Sequence, residues 1–261
     1  MDAYAAVVLA GGAARRMGGV DKPARTVGGR TMRDRVLAAV ADAAPRILVG
    51  PPGPVPAGVR VTREEPVGGG PVAAAAAGLA LLDPGTPVVA LLAADLPLLT
   101  RAAVGGLLDQ LDAGHDGACY VDGDGRRQTL CGVWRVAPLR AALDRLAAER
   151  AAGHSGGTAE RATGHPGGSA ERATGHPGGS AERATGHPGG SAERATGHSG
   201  GSAERATGHQ GGSVASLAGA PIRALLAGLR VREVAWSGAG PPPWFDCDTD
   251  EDVRRAEEWT R

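Results

Sequence analysis

Aromatic side chains make up only 3% of the 261 residues, so leucine, valine and alanine must fill whatever core the chain builds. Cysteine is almost as scarce. Cys119, Cys131 and Cys247 are odd in number and lack metal-ligand spacing. That argues against a disulfide framework or a zinc site and reads as buried reduced thiols, with a catalytic thiol well behind. No apolar run reaches the ~20 residues of a membrane span, and the alanine-rich stretch at 73–82 is too short. Neither charge sign is in excess: 28 Lys and Arg balance 28 Asp and Glu. A basic surface for non-specific nucleic-acid binding is therefore missing. The chain opens directly on a core-strand pattern without a signal peptide, so the expectation is a cytoplasmic protein that meets neither membrane nor nucleic acid.

Residues 151–213 are almost devoid of large apolar side chains, which leaves about 200 residues for a core, enough for one domain. Residues 151–216 are six tandem copies of an eleven-residue unit, most often Ala-Thr-Gly-His-Pro-Gly-Gly-Ser-Ala-Glu-Arg. Each copy carries three glycines and no apolar stripe. Ordering such a segment costs conformational entropy that nothing offsets, so the expectation is a disordered insertion. The domain itself then comprises 1–150 and 214–261. Six of the seven histidines recur once per unit, at 154, 165, 176, 187, 198 and 209. Weak capture of a transition metal is the functional reading of that period. A recently expanded repeat without a role is the plainer one, and the near-identity of the copies favours it.

Elsewhere, strand and helix patterns alternate. Strands are expected over 5–10, 46–49, 59–62, 87–93, 117–121, 131–136 and 231–234. Helices are expected over 31–44, 71–82, 101–112, 137–149, 221–228 and 249–260. Such alternation implies an α/β fold with a largely parallel sheet covered on both faces. Ligands in these folds collect beyond the carboxyl ends of the strands.

The loop after the first strand reads Val8-Leu-Ala-Gly-Gly-Ala-Ala-Arg-Arg-Met-Gly-Gly-Val-Asp-Lys22-Pro. Its glycines allow bare amides to approach an anion closely, and Arg15, Arg16 and Lys22 add positive charge, which together suit a polyphosphate. Asp95 ends the most apolar strand, where a carboxylate is costly unless a cation or backbone amides meet it. Magnesium, held by one or two carboxylates with water and phosphate oxygens, is the natural cation. Asp246 and Asp248 precede the last helix, and either is a candidate for the same ion, with Asp248 favoured. Thr249 followed by acidic residues starts that helix. Gly70-Pro71 suggests a backbone close to a flat ligand, and Glu64 or Glu65 is placed to accept from a base or ribose. Arg126, Arg127 and Gln128 mark the edge of a second-substrate pocket or an ordinary charged turn.

Leu9-Ala-Gly-Gly, Arg16-Met-Gly-Gly-Val-Asp-Lys22, Gly70-Pro71, Leu91-Leu-Ala-Ala-Asp95-Leu-Pro and Phe245-Asp-Cys-Asp248-Thr-Asp-Glu-Asp-Val resemble the sugar-nucleotidyltransferase-type fold. Within it they resemble the molybdenum cofactor guanylyltransferases. The resemblance covers roughly 5–150 and 217–260 and implies a three-layer, Rossmann-like domain. It implies transfer of GMP from GTP to molybdopterin cofactor with release of pyrophosphate and Mg2+ as the metal, and it extends to molybdoenzymes or other cofactor-biosynthesis proteins as partners. Carried onto this chain, Leu9, Ala10, Gly11, Gly12, Lys22, Glu65, Gly70 and Asp95 would contact the nucleotide. Arg16, Lys22 and Asp95 would carry catalysis, and Asp95 and Asp248 would hold the metal. Gly50 stands where many members have Asn, and Asp246 and Asp248 stand where Asn is common; these departures leave the reaction class intact. The alternatives are a cytidylyltransferase for the same cofactor, another NTP:sugar-phosphate nucleotidyltransferase, or a GTP-binding regulatory module. A dehydrogenase is disfavoured because the first loop lacks Gly-x-Gly-x-x-Gly.

Overall fold

The structure, a computed structural model, describes residues 3–11, 22–155 and 216–261. Residues 156–215 of the repeat array, with all the histidines expected to capture metal except His154, lie outside these, and so do Gly12, Arg15 and Arg16. His154 is described only as backbone at the end of a helix.

β1 (Ala5–Leu9) is buried at every position, which fits a central strand covered on both faces. It pairs in parallel with β4 (Arg46–Val49) on one side and β6 (Val88–Ala93) on the other. The seven-stranded sheet runs β5 (Val59–Thr62), β4, β1, β6, β8 (Arg127–Arg135), β7 (Gly117–Val121), β9 (Val231–Ala235). β8 is antiparallel to both β6 and β7, whereas β7 and β9 pair in parallel. A separate two-stranded ribbon joins β2 (Thr26–Val27) to β3 (Arg30–Thr31).

Strand alternation sorts two cores. Ala5, Val7 and Leu9 face α2 (Gly70–Leu79) and α4 (Val136–Ser155), meeting Val72, Leu79, Leu139 and Leu143. Ala6 and Val8 face α1 (Met32–Ala39) and α3 (Arg101–Asp109), meeting Val36, Leu37, Val104 and Leu107. The result is the expected three-layer α/β arrangement. α2 comes so close to the sheet that a Cβ on Gly78 would stand 2.4 Å from Val7 Cγ1 and 3.0 Å from Val49 Cγ2. Only glycine fits that contact.

Three helices start on a threonine cap, of which the sequence names Thr249. Thr31 and Thr100 accept from the backbone N–H groups of Asp34 and Ala103. Thr249 and Asp252 form a reciprocal capping box at the start of α6 (Asp250–Trp259). Helix ends fall short of the pattern. α1 stops at Ala39 rather than 44, because Ala41 and Ala43 make tighter i→i−3 bonds ahead of Pro45. β8, by contrast, begins four residues before the apolar run, since its first half is partly exposed and polar.

Three of the few aromatics gather beyond β7. Tyr120 meets Trp236 edge-on at 5.4 Å between centroids and Trp244 at 5.3 Å. This contact anchors the segment leading to α6. Phe245, Cys247, Val253 and Ala256 then pack with Val27, Met32 and Leu98 in a third, smaller core. Arg25 pairs with Asp250 at the start of α6. The chain after α5 (Ile222–Leu226) and β9 is thereby brought back to the loop following β6.

Candidate active site at the carboxyl ends of β1 and β6

The sheet ends in a tight backbone weave. Ala10 N–H donates to Val49 O at 2.7 Å and Ala94 N–H donates to Leu9 O at 3.0 Å, so Gly11 and Asp95 leave adjacent strands side by side. Cys247 N–H donates to Asp95 O at 3.4 Å, which docks the pre-α6 segment onto the same spot.

Lys22 opens a short 3-10 turn, Lys22–Ala24. Its ammonium donates to Asp95 Oδ2 at 2.6 Å and to Asp248 Oδ1 at 2.7 Å, and its side chain is only 14% exposed. Burial alone would lower the lysine's pKa. The hydrogen bonds to Asp248 and Asp95 outweigh it and hold the pKa above the ordinary value. Asp246 belongs to the same group of charges. Although the residue as a whole is exposed, loss of water around its carboxyl, then the negative charges of Asp248 and Asp95, push its pKa up, while Lys22 pulls it down. Asp95 and Asp248 thus grip a single ammonium, and Asp246 lies within electrostatic reach of all three.

This donor set suits magnesium. The oxygens are hard, two of them converge on one small cation, and negative charge exceeds positive. Among the described residues no cluster of three or more ligating side chains occurs. Magnesium characteristically takes only one or two carboxylates and fills its sphere with water and phosphate.

On the other side of Gly11 the adjacent carboxylate is Glu64, one of the two glutamates named as candidates. Glu64 is 5% exposed whereas Glu65 is exposed. A Cβ on Gly11 would lie 3.1 Å from Glu64 Oε1 and 3.4 Å from Oε2. Oε1 accepts from Gly68 N–H at 3.1 Å, and Oε2 is buried without a partner among the described residues. An orphaned buried acceptor costs about 1–3 kcal/mol. Both residues carry the same side chain, and only the path of the backbone after β5 distinguishes them. Nearby, Gly70 adopts φ +87° at the start of α2, immediately before Pro71. The carbonyl of Gly69 accepts from Gly219 N–H at 2.8 Å.

The remaining expectations divide. Arg127 is paired with Glu233 on β9 at 2.7 Å, and Gln128 donates across the β7–β8 connection to Asp122 at 3.0 Å, so both are engaged in pairs within the sheet region. The thiols supply no nucleophile, since burial pushes Cys119 to about 11 and Cys131 and Cys247 to about 12.

Residues 6–161 match the MobA-like NTP transferase domain. The chain belongs to that family. Among curated relatives, the molybdenum cofactor guanylyltransferase of Nitrobacter hamburgensis is 42% identical over 106 residues, 38% of this chain and 51% of the relative. That of Bradyrhizobium sp. (strain ORS 278) is 33% identical over 138 residues, 50% of this chain and 65% of the relative. The chain therefore spans between half and two thirds of the length of these relatives. Two solved structures share the fold. Molybdopterin-guanine dinucleotide biosynthesis protein A from Archaeoglobus fulgidus superposes with TM-score 0.53 at 14% identity, covering 97% of this chain and 96% of that one. The 2-C-methyl-D-erythritol 4-phosphate cytidylyltransferase from Thermus thermophilus gives 0.52 at 18% identity, covering 98% of each. No helix among the described residues of this MobA-like chain is long and apolar enough to cross a membrane.

Proposed function

We propose that this MobA-like protein is a nucleotidyltransferase that moves GMP from GTP to molybdopterin cofactor and releases pyrophosphate. The observation that carries the reading is the convergence of Lys22, Asp95 and Asp248 beyond the ends of β1 and β6, beside the glycine turn at Gly11. Family membership and the names of the two curated relatives support the choice of donor and acceptor.

The reaction joins a phosphate oxygen of the acceptor to the α-phosphorus of GTP and breaks the bond from that phosphorus to the pyrophosphate oxygen. The electron pair leaves with the pyrophosphate. The attacking oxygen is already anionic, so no general base is required, and none is supplied by a thiol or histidine of the described site. The difficulty is repulsion between two polyanions, and the protein's task is positioning and charge compensation. The turn formed by Leu9, Ala10 and Gly11 brings the backbone close to the nucleotide; the Ala10 amide is already bound to Val49, so the Gly11 amide is the one left to meet a phosphate. Lys22 turns its ammonium to the β- and γ-phosphates and follows the charge onto the departing pyrophosphate. Gly12 and Arg16, assigned to the same grip, lie outside the described residues. Asp95 and Asp248 would hold Mg2+, which would supply neutralisation of phosphate charge.

Glu64 bears on base choice. Guanine presents two adjacent donors, N1–H and the 2-amino group, whereas cytosine and uracil place an acceptor beside their donor. A buried carboxylate with an oxygen unpartnered among the described residues favours the two-donor edge. The test is pyrophosphate release from GTP, CTP and UTP with molybdopterin cofactor as acceptor. Turnover with GTP well above the others supports the reading. Preference for CTP transfers the protein to the cytidylyltransferases, and tight GTP binding without pyrophosphate under any acceptor makes it a regulatory module.

A further inference from the structure

Lys22 is the single lysine among the 28 lysine and arginine residues of the chain; every other permanent side-chain cation is a guanidinium. The two are not equivalent. Guanidinium is a rigid planar fork suited to bidentate pairing, whereas ammonium is a compact point charge with three rotatable donors. The one departure from arginine falls in a slot between carboxylates of two segments 153 positions apart, Asp95 and Asp248. There the ammonium nitrogen stands 2.6 and 2.7 Å from their oxygens.

A small cation gripped by two carboxylate oxygens is also how a divalent ion would sit, with metal–oxygen distances of about 2.0–2.1 Å for magnesium. One slot cannot hold both. We propose that Lys22 is an exchangeable occupant of the metal slot: it closes the Asp95–Asp248 pair to free divalent cations until a nucleotide's phosphates draw it away. The proposal rests on the nucleotidyltransferase reading above. Metal then enters together with nucleotide rather than before it. The acid pair is kept from the divalent ions that bind oxygen and nitrogen ligands more tightly than magnesium does. An arginine would not serve, because its fork would engage one carboxylate bidentately instead of bridging two as a point charge.

The test uses the full chain without nucleotide. Mn2+ is titrated into wild type and Lys22→Met, and free Mn2+ is read by electron paramagnetic resonance. Lys22→Met is expected to bind Mn2+ at least about tenfold more tightly than wild type, because the cation that competes for the two carboxylates is gone. Adding Asp95→Asn to Lys22→Met abolishes the gain. Equal or weaker Mn2+ binding by Lys22→Met overturns the proposal.

A second measurement needs no variant. The side-chain ammonium of a lone lysine gives a self-assigned nuclear magnetic resonance signal. Mg2+ alone leaves that signal unchanged, whereas Mg2+ with an α,β-methylene analogue of GTP shifts it. A shift with Mg2+ alone contradicts the exchange. An unshifted signal while calorimetry shows the analogue bound also contradicts it and leaves nucleotide binding intact. Failure of every nucleotide to bind refutes the underlying reading instead, and the Mn2+ comparison still decides whether Lys22 guards the acid pair.

Discussion

Glu64 and Gly11 touch across the end of β1: there is room for a glycine and a carboxylate, but a Cβ at residue 11 would press within 3.1 Å of Glu64 Oε1. The contact places the buried acid against the turn that would carry the nucleotide. Glu64→Gln replaces an acceptor oxygen with a donor at the same volume and is expected to raise KM for GTP about 10- to 100-fold, in line with one or two charged hydrogen bonds. Glu65→Gln, at an exposed position, leaves KM within about twofold, since surface substitutions rarely matter. Steady-state kinetics on the two variants distinguish the neighbours.

The packing of α2 on the sheet gives a stability test. Gly78→Ala puts a methyl 2.4 Å from Val7 Cγ1, and overpacking of this sort costs about 1–3 kcal/mol. Urea unfolding of the variant shows a lower midpoint with the slope unchanged. The site residues are untouched, so activity at low temperature persists.

The ends of the insertion are tied together. Arg150, on α4, donates to Ser216 O at 2.6 Å and to Ala218 O at 2.8 Å, and Ser216 Oγ donates to Ala147 O at 3.4 Å. Joining residue 156 to residue 214 through a short linker in place of 157–213 is therefore expected to leave melting temperature and pyrophosphate release nearly unchanged. A large loss of either shows that the repeats contribute to the domain or to its activity.

One ion pair sets a pH dependence away from the site. Asp116, just before β7, takes its hydrogen bonds from the Arg230 side chain and backbone, just before β9, and is held below the ordinary carboxylate pKa. A depressed folded value means the stabilisation is complete above the unfolded value of about 3.9 and is lost as pH falls through the folded one. Unfolding of wild type and Arg230→Met should differ at neutral pH and converge in strong acid.

Much of this architecture is readable from local pattern. The all-apolar β1 and β6, the threonine caps at 31, 100 and 249, and the glycine turn are written in neighbouring residues. Other features depend on chain geometry that no short window contains. Lys22 and Asp248 lie 226 positions apart, and only the docking of Cys247 onto Asp95 brings them together. Glu64 and Glu65 are chemically identical, so burial alone separates them. The ribbon of β2 and β3 consists of strands of two residues each, too short to show a period. The start of β8 escapes a local reading because Arg127 and Gln128 look like turn residues until they are seen pairing with Glu233 and Asp122.

The most direct test of the account is pyrophosphate release from GTP with molybdopterin cofactor and Mg2+, compared between wild type and Asp95→Asn. Loss of one preorganised charge at a reacting phosphate commonly lowers the rate ~10²–10³-fold. A folded Asp95→Asn protein is predicted to show a fall of that order. Turnover near the wild-type rate in that variant would contradict the assignment of the site.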